Sequence, residues 1–342
     1  MNYDLAQLHA ALIDIDRIPV IVAAIILSAA IGMITGPLFG NANPLIWNAF
    51  SSSFGAIGDR LNKRSRTRRD LMTRGTIVCI FALIMAFFLG RILEALTLMF
   101  PLWGLSQILL LSLMMSTGAV WFALLRLYIA MEQQKIGEGA YYAIAVTARR
   151  NLTAGDDFGI TRVAMGVSAR SFDKALVAPA LWYLIGGFPL CMLYCVLAAF
   201  SWRFGKDGFH SGFASTIQAL EKIMGFVPSV FSGLIITLSV GITPTASLVK
   251  ALKSWFDDGV KAAHYQQGGA PLSAMAWALN LSLGGASQDI SGSAIKADWI
   301  GPSGASAKVD HKHLRRAIYL NAIAHIIFIA ALLGAYMWGN IL

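Results

Sequence analysis

Charge is scarce in this chain. Only 13 % of its 342 residues are Asp, Glu, Lys or Arg, while 57 % are apolar. That is too little polar surface to coat a soluble globule of this length, so composition excludes one and places the protein in lipid. Cysteine is nearly absent as well. Cys79, Cys191 and Cys195 all lie inside apolar stretches, which argues against a disulfide framework or a thiolate metal centre and leaves them as small apolar side chains. There is no G-x-x-x-x-G-K phosphate loop, and the Gly-Gly pairs at 186, 268 and 284 lack a strand-turn-helix context, so nucleotide binding is not visible by pattern. Neither an internal repeat nor a long low-complexity tract occurs.

What the chain does have is long, nearly uncharged runs: Ile18 to Phe39, Gly75 to Gly90, Leu105 to Tyr128, Leu176 to Phe200, Phe226 to Thr243 and Ala317 to Leu342. About 20 apolar residues span a bilayer core of about 30 Å. The fold class expected is therefore all-α: a polytopic helical membrane protein of some six hydrophobic segments forming one membrane domain over 1–342. The residues before the first run are acidic (Asp4, Asp14, Asp16) and no small-residue cleavage pattern follows, so that run is read as a retained helix.

Orientation follows from the basic residues. Arg60, Lys63, Arg64, Arg66, Arg68, Arg69 and Arg74 crowd the 40–74 loop, and short basic loops stay in the cytoplasm. The expectation is a multi-pass protein of the bacterial inner membrane, with 60–74 cytoplasmic, the N-terminus periplasmic, and the polar stretches 131–174 and 249–316 cytoplasmic. The second polar stretch reads as mostly loops, with one amphipathic run (Leu272, Met275, Ala276, Leu279, Leu283). The net charge of +9 is explained by this orientation and by anionic headgroups, and no nucleic acid partner is expected. The fourth segment carries Gly186-Gly187-Phe188-Pro189 at its middle, which breaks a helix or turns it back as a re-entrant hairpin. The two readings differ in where they put Ser201 to Gly225.

Few residues suggest chemistry. His311 and His313 flank Lys312 near Arg315 and read as a solvated polar patch rather than a metal site. Asp156-Asp157 and Asp257-Asp258 read as caps or turn residues. Arg91, Glu94 and Arg126 lie near segment ends, where long side chains reach the interface, and His325 reads as a neutral packing residue. No metal site and no catalytic residue is identified from these patterns.

The stretch LVAPALWYLIGGFPLCMLY at Leu176 to Tyr194 resembles the most recognisable segment of the CobD/CbiB membrane proteins, and a similar segment occurs in the related AmpE proteins. The resemblance extends to Ile160-Thr161-Arg162, Phe226-Val227-Pro228, Ala276 to Gly285, Trp299-Ile300-Gly301 and Arg316-Ala317-Ile318, in order across most of the chain. It implies the adenosylcobinamide-phosphate synthase reaction of cobalamin assembly. In that reaction ATP and a divalent cation activate a carboxylate of adenosylcobyric acid for amide formation with an aminopropanol or ethanolamine phosphate, which calls for acids to hold the metal.

The departures fall on those acids. The family's Gly-Arg-Asp-Thr reads Arg149-Arg150-Asn151-Leu152, Gly166 and Arg170 stand at Glu positions, and Lys174 stands at an Asp position. The Asn-Thr-Leu-Asp-Ser-Met run reads Ala198 to Arg203, the later Asp-Asp pair reads Glu221-Lys222, and Gly-Asp-Pro reads Thr35-Gly36-Pro37. The resemblance leaves Arg150, Asn151, Arg162 and Asp173 as candidate substrate-binding residues, with ATP and Mg only if the family activity is retained. The expected function is a divergent member related to cobalamin biosynthesis that lacks the standard Mg-ATP site and takes a corrinoid ligand. The first alternative is a non-enzymatic AmpE-like scaffold or accessory subunit with a membrane or cytoplasmic protein partner. The second is small-molecule transport, resting on the broken fourth segment and His325.

Overall fold

A computed structural model describes the chain except residues 1–13, 64, 101–103, 154, 207–211, 259–262, 264, 296 and 342. The helices are α1 (Ile18–Thr35), α2 (Leu45–Leu61), α3 (Arg68–Met99), α4 (Leu105–Leu113), α5 (Gly118–Glu132), α6 (Tyr142–Ala148), α7 (Asp157–Phe172), α8 (Ala178–Phe204), α9 (Ser215–Val240), α10 (Leu248–Asp257), α11 (Gly269–Leu279) and α12 (His311–Gly339). A π-helical turn, Asp173–Val177, joins α7 to α8. Two nested antiparallel pairs lie between α11 and α12. β1 (Leu283–Gly284) pairs β4 (Trp299–Ile300), and β2 (Ser287–Gln288) pairs β3 (Ala294–Ile295).

Five helical runs are long and apolar enough to cross a membrane: Ile15–Thr35, Arg68–Met99, Asp157–Phe204, Ser215–Val240 and His311–Gly339. α4 and α5, bent by 44°, form a sixth when taken together. The protein is thus an all-α polytopic membrane protein with about the expected number of segments. Helix starts are set locally. The Thr67 hydroxyl accepts from Asp70 N–H to open α3, and Asp310 with His313 forms a capping box at α12. Where helices cross, glycine lets backbones touch: a Cβ on Gly90 would lie 2.6 Å from Pro189 Cα.

The polar stretches hold more structure than their composition suggests. Within 131–174 lies α7, buried throughout from Ala164 to Phe172. Within 249–316 lie α10 and α11, and α11 is buried on every side from Pro271 to Leu279. Length and packing explain the difference: α11 is apolar but only 11 residues long, too short to span a bilayer, and the Gly, Ala and Ser residues of α7 let neighbours pack closely.

The fourth segment is broken as expected, at Gly186 (φ −144°, ψ 25°) and Gly187 (φ 63°, ψ −155°). The chain reverses there. Ala175 O accepts from Ser116 N–H at 2.9 Å, and Cys195 Sγ lies 3.9 Å from Met114 O, so Ala175 and Cys195 sit at one depth on opposite arms. Further along the arms, Trp202 Nε1 and Tyr265 Oη both donate to Thr147 O, and Arg170 lies over Tyr265, so Trp202 is level with Arg170. The hairpin tip is held by Arg17 Nη1 donating to Tyr183 O at 3.1 Å and Asp14 N–H donating to Leu184 O at 3.4 Å, which satisfies carbonyls freed by the break. The returning arm, roughly 27 Å long, ends where Arg203 meets Asp59 at 2.6 Å. Thr216 then meets Thr76 at 2.7 Å. Residues 201–204 and 215–216 therefore lie at the end of the bundle that carries the basic residues 60–74.

Candidate functional site: a buried cationic cluster

At that same end, α6 stops where Arg149 turns left-handed (φ 52°, ψ 45°). Arg150 N–H then returns to Ala145 O at 2.9 Å and Asn151 N–H donates to Gln288 O at 2.8 Å. The turn sends the Arg150 side chain inward, leaving it 4 % exposed. Asn151 stays at the surface, where its Oδ1 accepts from Thr153 N–H and Oγ1–H at 3.1 and 2.6 Å.

Arg170, on the buried α7, is also 4 % exposed. Its guanidinium lies over the Tyr265 ring, 5.6 Å from the centroid. It folds back above Gly166, where a Cβ would stand 3.1 Å from its Nη2. Gly166 thus makes room for the Arg170 guanidinium. Tyr265 is fixed by its N–H donating to Glu221 Oε2 at 2.8 Å, by its hydroxyl on Thr147 O at 3.3 Å and by Trp47 edge-on at 5.6 Å. Burial pushes the Tyr265 phenol up, so it stays neutral.

Among the described residues neither arginine forms an ion pair. Nε of Arg150 and Nε of Arg170 lack any hydrogen-bond partner, and among the described residues the nearby carboxylates pair with other cations. Burial pulls the Arg150 guanidinium down to about 9, and the charge of Arg170 adds to that pull. Two like charges withdrawn from water without a partner are costly, and an anion between them offsets the cost.

Beneath the pair, Lys174 is fully buried between two acids. Its Nζ lies 3.6 Å from Asp173 Oδ2 and 3.3 Å from Glu221 Oε1, and it donates to Ala263 O at 3.1 Å. With every group in its ordinary charge state, and with Asp289 paired to Arg149 and Lys206, the cations Arg150, Arg170 and Lys174 are set against the carboxylates of Asp173 and Glu221. The cluster thus carries one uncompensated positive charge among the described residues.

Asp289 closes the outer side. It is fully buried, bridges to Arg150 through the backbone, and pairs with Arg149 and Lys206, each at 3.4 Å. Its burial raises the carboxyl pKa. Two hydrogen bonds from Ser291 and the Arg149 and Lys206 charges outweigh that effect and hold it below the ordinary 3.8.

The four candidates from the sequence do not converge. Arg150 enters the cluster and Asp173 lies beneath it, while Asn151 faces outward. Arg162 is engaged elsewhere, with Nη1 donating to Ala307 O at 2.6 Å and its guanidinium over the Trp299 ring at 5.5 Å. Sequence reasoning missed Arg170 and Tyr265 as site residues. The available signal was two cations, Arg170 and Lys174, one helical turn apart just ahead of the apolar run that starts at Leu176.

A divalent cation, implied by the resemblance, does not fit these residues. Among the described residues no three His, Cys, Asp or Glu side chains group to hold a metal, and the two carboxylates that do meet enclose the Lys174 ammonium. What the arrangement can do is bind an anionic group, with Arg150 and Arg170 as donors and Tyr265 as a neutral platform.

Comparison with known proteins adds to this geometry. The sequence profile described as CobD/Cbib protein matches residues 22–321. "Cobalamin biosynthesis protein CobD" of Brucella anthropi is 25 % identical over 234 residues, 67 % of this chain and 70 % of that protein. The protein of the same name from Sinorhizobium sp is 26 % identical over 245 residues, 69 % and 73 % respectively. That of Brucella suis biovar 1 is 25 % identical over 152 residues, 44 % of this chain and 46 % of that protein, so this chain spans under half of its length. No solved structure matches the chain.

Proposed function

The chain belongs to the CobD/Cbib protein family, and from that premise we propose that it serves cobalamin biosynthesis by binding a corrinoid at the Arg150–Arg170 pair, without the Mg-ATP amide-forming reaction. The observation that carries this reading is the pair itself: two buried guanidinium groups that form no ion pair among the described residues and whose Nε atoms have no hydrogen-bond partner. The names of the similar proteins supply the pathway. An anionic group of the corrinoid, carboxylate or phosphate, accepts from both arginines and cancels the uncompensated charge. Tyr265 holds Arg170 in place through the ring contact. The site faces the bundle end that bears the basic residues 60–74, which on this reading is the cytoplasmic side of a bacterial inner membrane.

The enclosed Lys174 also favours a second reading within the same family, a non-enzymatic scaffold or accessory subunit that docks a membrane or cytoplasmic partner. Both readings predict the same outcome for catalysis. Purified protein given Mg, ATP, adenosylcobyric acid and aminopropanol phosphate is expected to show no ATP turnover. Turnover in the wild type that disappears in Arg150→Ala would return the synthase reaction. The readings part on ligand. Under the corrinoid reading, adenosylcobyric acid raises the thermal midpoint of the wild type and leaves that of Arg150→Ala unchanged.

A further inference from the structure

The donors around the Lys174 ammonium are all oxygen. They are Asp173 Oδ2 at 3.6 Å, Glu221 Oε1 at 3.3 Å and the Ala263 carbonyl at 3.1 Å, with the Ser232 hydroxyl 3.2 Å from the other Asp173 oxygen. Two carboxylates and a main-chain carbonyl are oxygen donors of the kind that hard divalent cations select, and the Ser232 hydroxyl steadies Asp173 from its other oxygen. Asp173 Oδ2 and Glu221 Oε1 receive no hydrogen bond, and both lie against the lysine ammonium. The backbone is fitted to this arrangement. The π-helical turn begins at Asp173, and its wider winding lets two consecutive side chains, Asp173 and Lys174, both turn inward. On α9, Gly225 leaves the space bare, since a Cβ there would stand 2.6 Å from Lys174 Nζ.

We infer that Lys174 is a built-in cation: its ammonium occupies a divalent-metal cage, holds the two carboxylates together without metal, and excludes metal from the wild-type protein. Vacating the lysine converts the cage into a divalent-cation site. The inference deepens the metal-free part of the proposed function, yet it rests on the cage alone, and its test contains no corrinoid or nucleotide.

The probe is manganese(II), added to detergent-purified full-length wild type, Lys174→Ser and Lys174→Met, with binding followed by electron paramagnetic resonance and stability by thermal unfolding. Lys174→Ser is expected to bind about one Mn2+ per chain and to unfold several degrees higher with Mn2+ than with EDTA. The wild type and Lys174→Met, whose side chains fill the cage, bind none and unfold alike in both. Adding Glu221→Gln to Lys174→Ser abolishes the binding. Two results overturn the inference. One is a Lys174→Ser protein whose folded yield and midpoint are the same in Mn2+ and EDTA. The other is wild-type protein that binds Mn2+ and loses it on Glu221→Gln. Failure of the corrinoid to bind in a separate titration would count against the proposed function and leave this result standing.

Discussion

Arg150 and Arg170 owe their importance to what is missing around them. A buried guanidinium normally meets a carboxylate, and breaking such a pair costs several kcal/mol because a bare charge is left behind. Here the bare charges already exist in the free protein. Removing one should therefore not destabilise it: Arg150→Ala is expected to keep or raise the thermal midpoint while losing ligand. Arg162→Ala should do the reverse, losing about 1–2 kcal/mol of stability with the Ala307 hydrogen bond and the Trp299 contact and leaving ligand affinity unchanged. Chemical unfolding of the two variants side by side checks the contrast. Asp289 adds a pH dependence. Its folded carboxyl lies below 3.8, so the stability it lends is present above about pH 4 and is lost as the pH falls through the folded value. Amide exchange across 287–295 should accelerate on that descent, and Asp289→Asn should remove the dependence. At this scale Arg150 was legible because it survives in a family motif. Arg170 and Lys174 were not, since a cation standing at an acid's position looks like lost function until its surroundings are seen.

The α7–α8 hairpin is the element on which the site depends, because it returns Trp202 to the level of Arg170 and packs both against the chain around Thr147. Its tip requires Gly187, whose φ of 63° with ψ of −155° is open essentially to glycine alone, and a Cβ there would stand 2.7 Å from Glu94 Oε1. Gly187→Ala should cost about 2 kcal/mol or more, seen as a lower thermal midpoint with ligand affinity reduced in step. The reversal also fixes sidedness. Lys63→Cys and Lys206→Cys should be labelled from the same face of oriented vesicles, with Cys79, Cys191 and Cys195 silent because they are buried. Labelling from opposite faces would contradict a hairpin. The Gly-Gly-Phe-Pro break was visible in the sequence. The reversal was not, because hydropathy is identical for a kinked span and a hairpin, and only contacts such as Ala175 and Cys195 at one depth separate them.

Over the whole molecule, membrane class and the approximate number of segments were legible because lipid requires long apolar runs, and each run falls on a helix or a bent helix pair, although the helices Arg68–Met99 and Ser215–Val240 extend well beyond the runs Gly75 to Gly90 and Phe226 to Thr243. The buried helices α7 and α11 were hidden in stretches read as polar, since α11 is too short to register as a span and the burial of α7 is decided by tight packing of Ala, Gly and Ser against neighbours. The bundle thus encloses, at the end bearing residues 60–74, a cluster whose positive charge exceeds its negative charge by one among the described residues. The central claim is that this excess holds an anionic group of a corrinoid. Equilibrium binding of adenosylcobyric acid to the detergent-purified protein in EDTA tests it most directly. The account predicts binding by the wild type without metal or ATP, at least about tenfold weaker in Arg150→Ala, the scale of one charged hydrogen bond. No binding by the wild type, or equal binding by the variant, would contradict it.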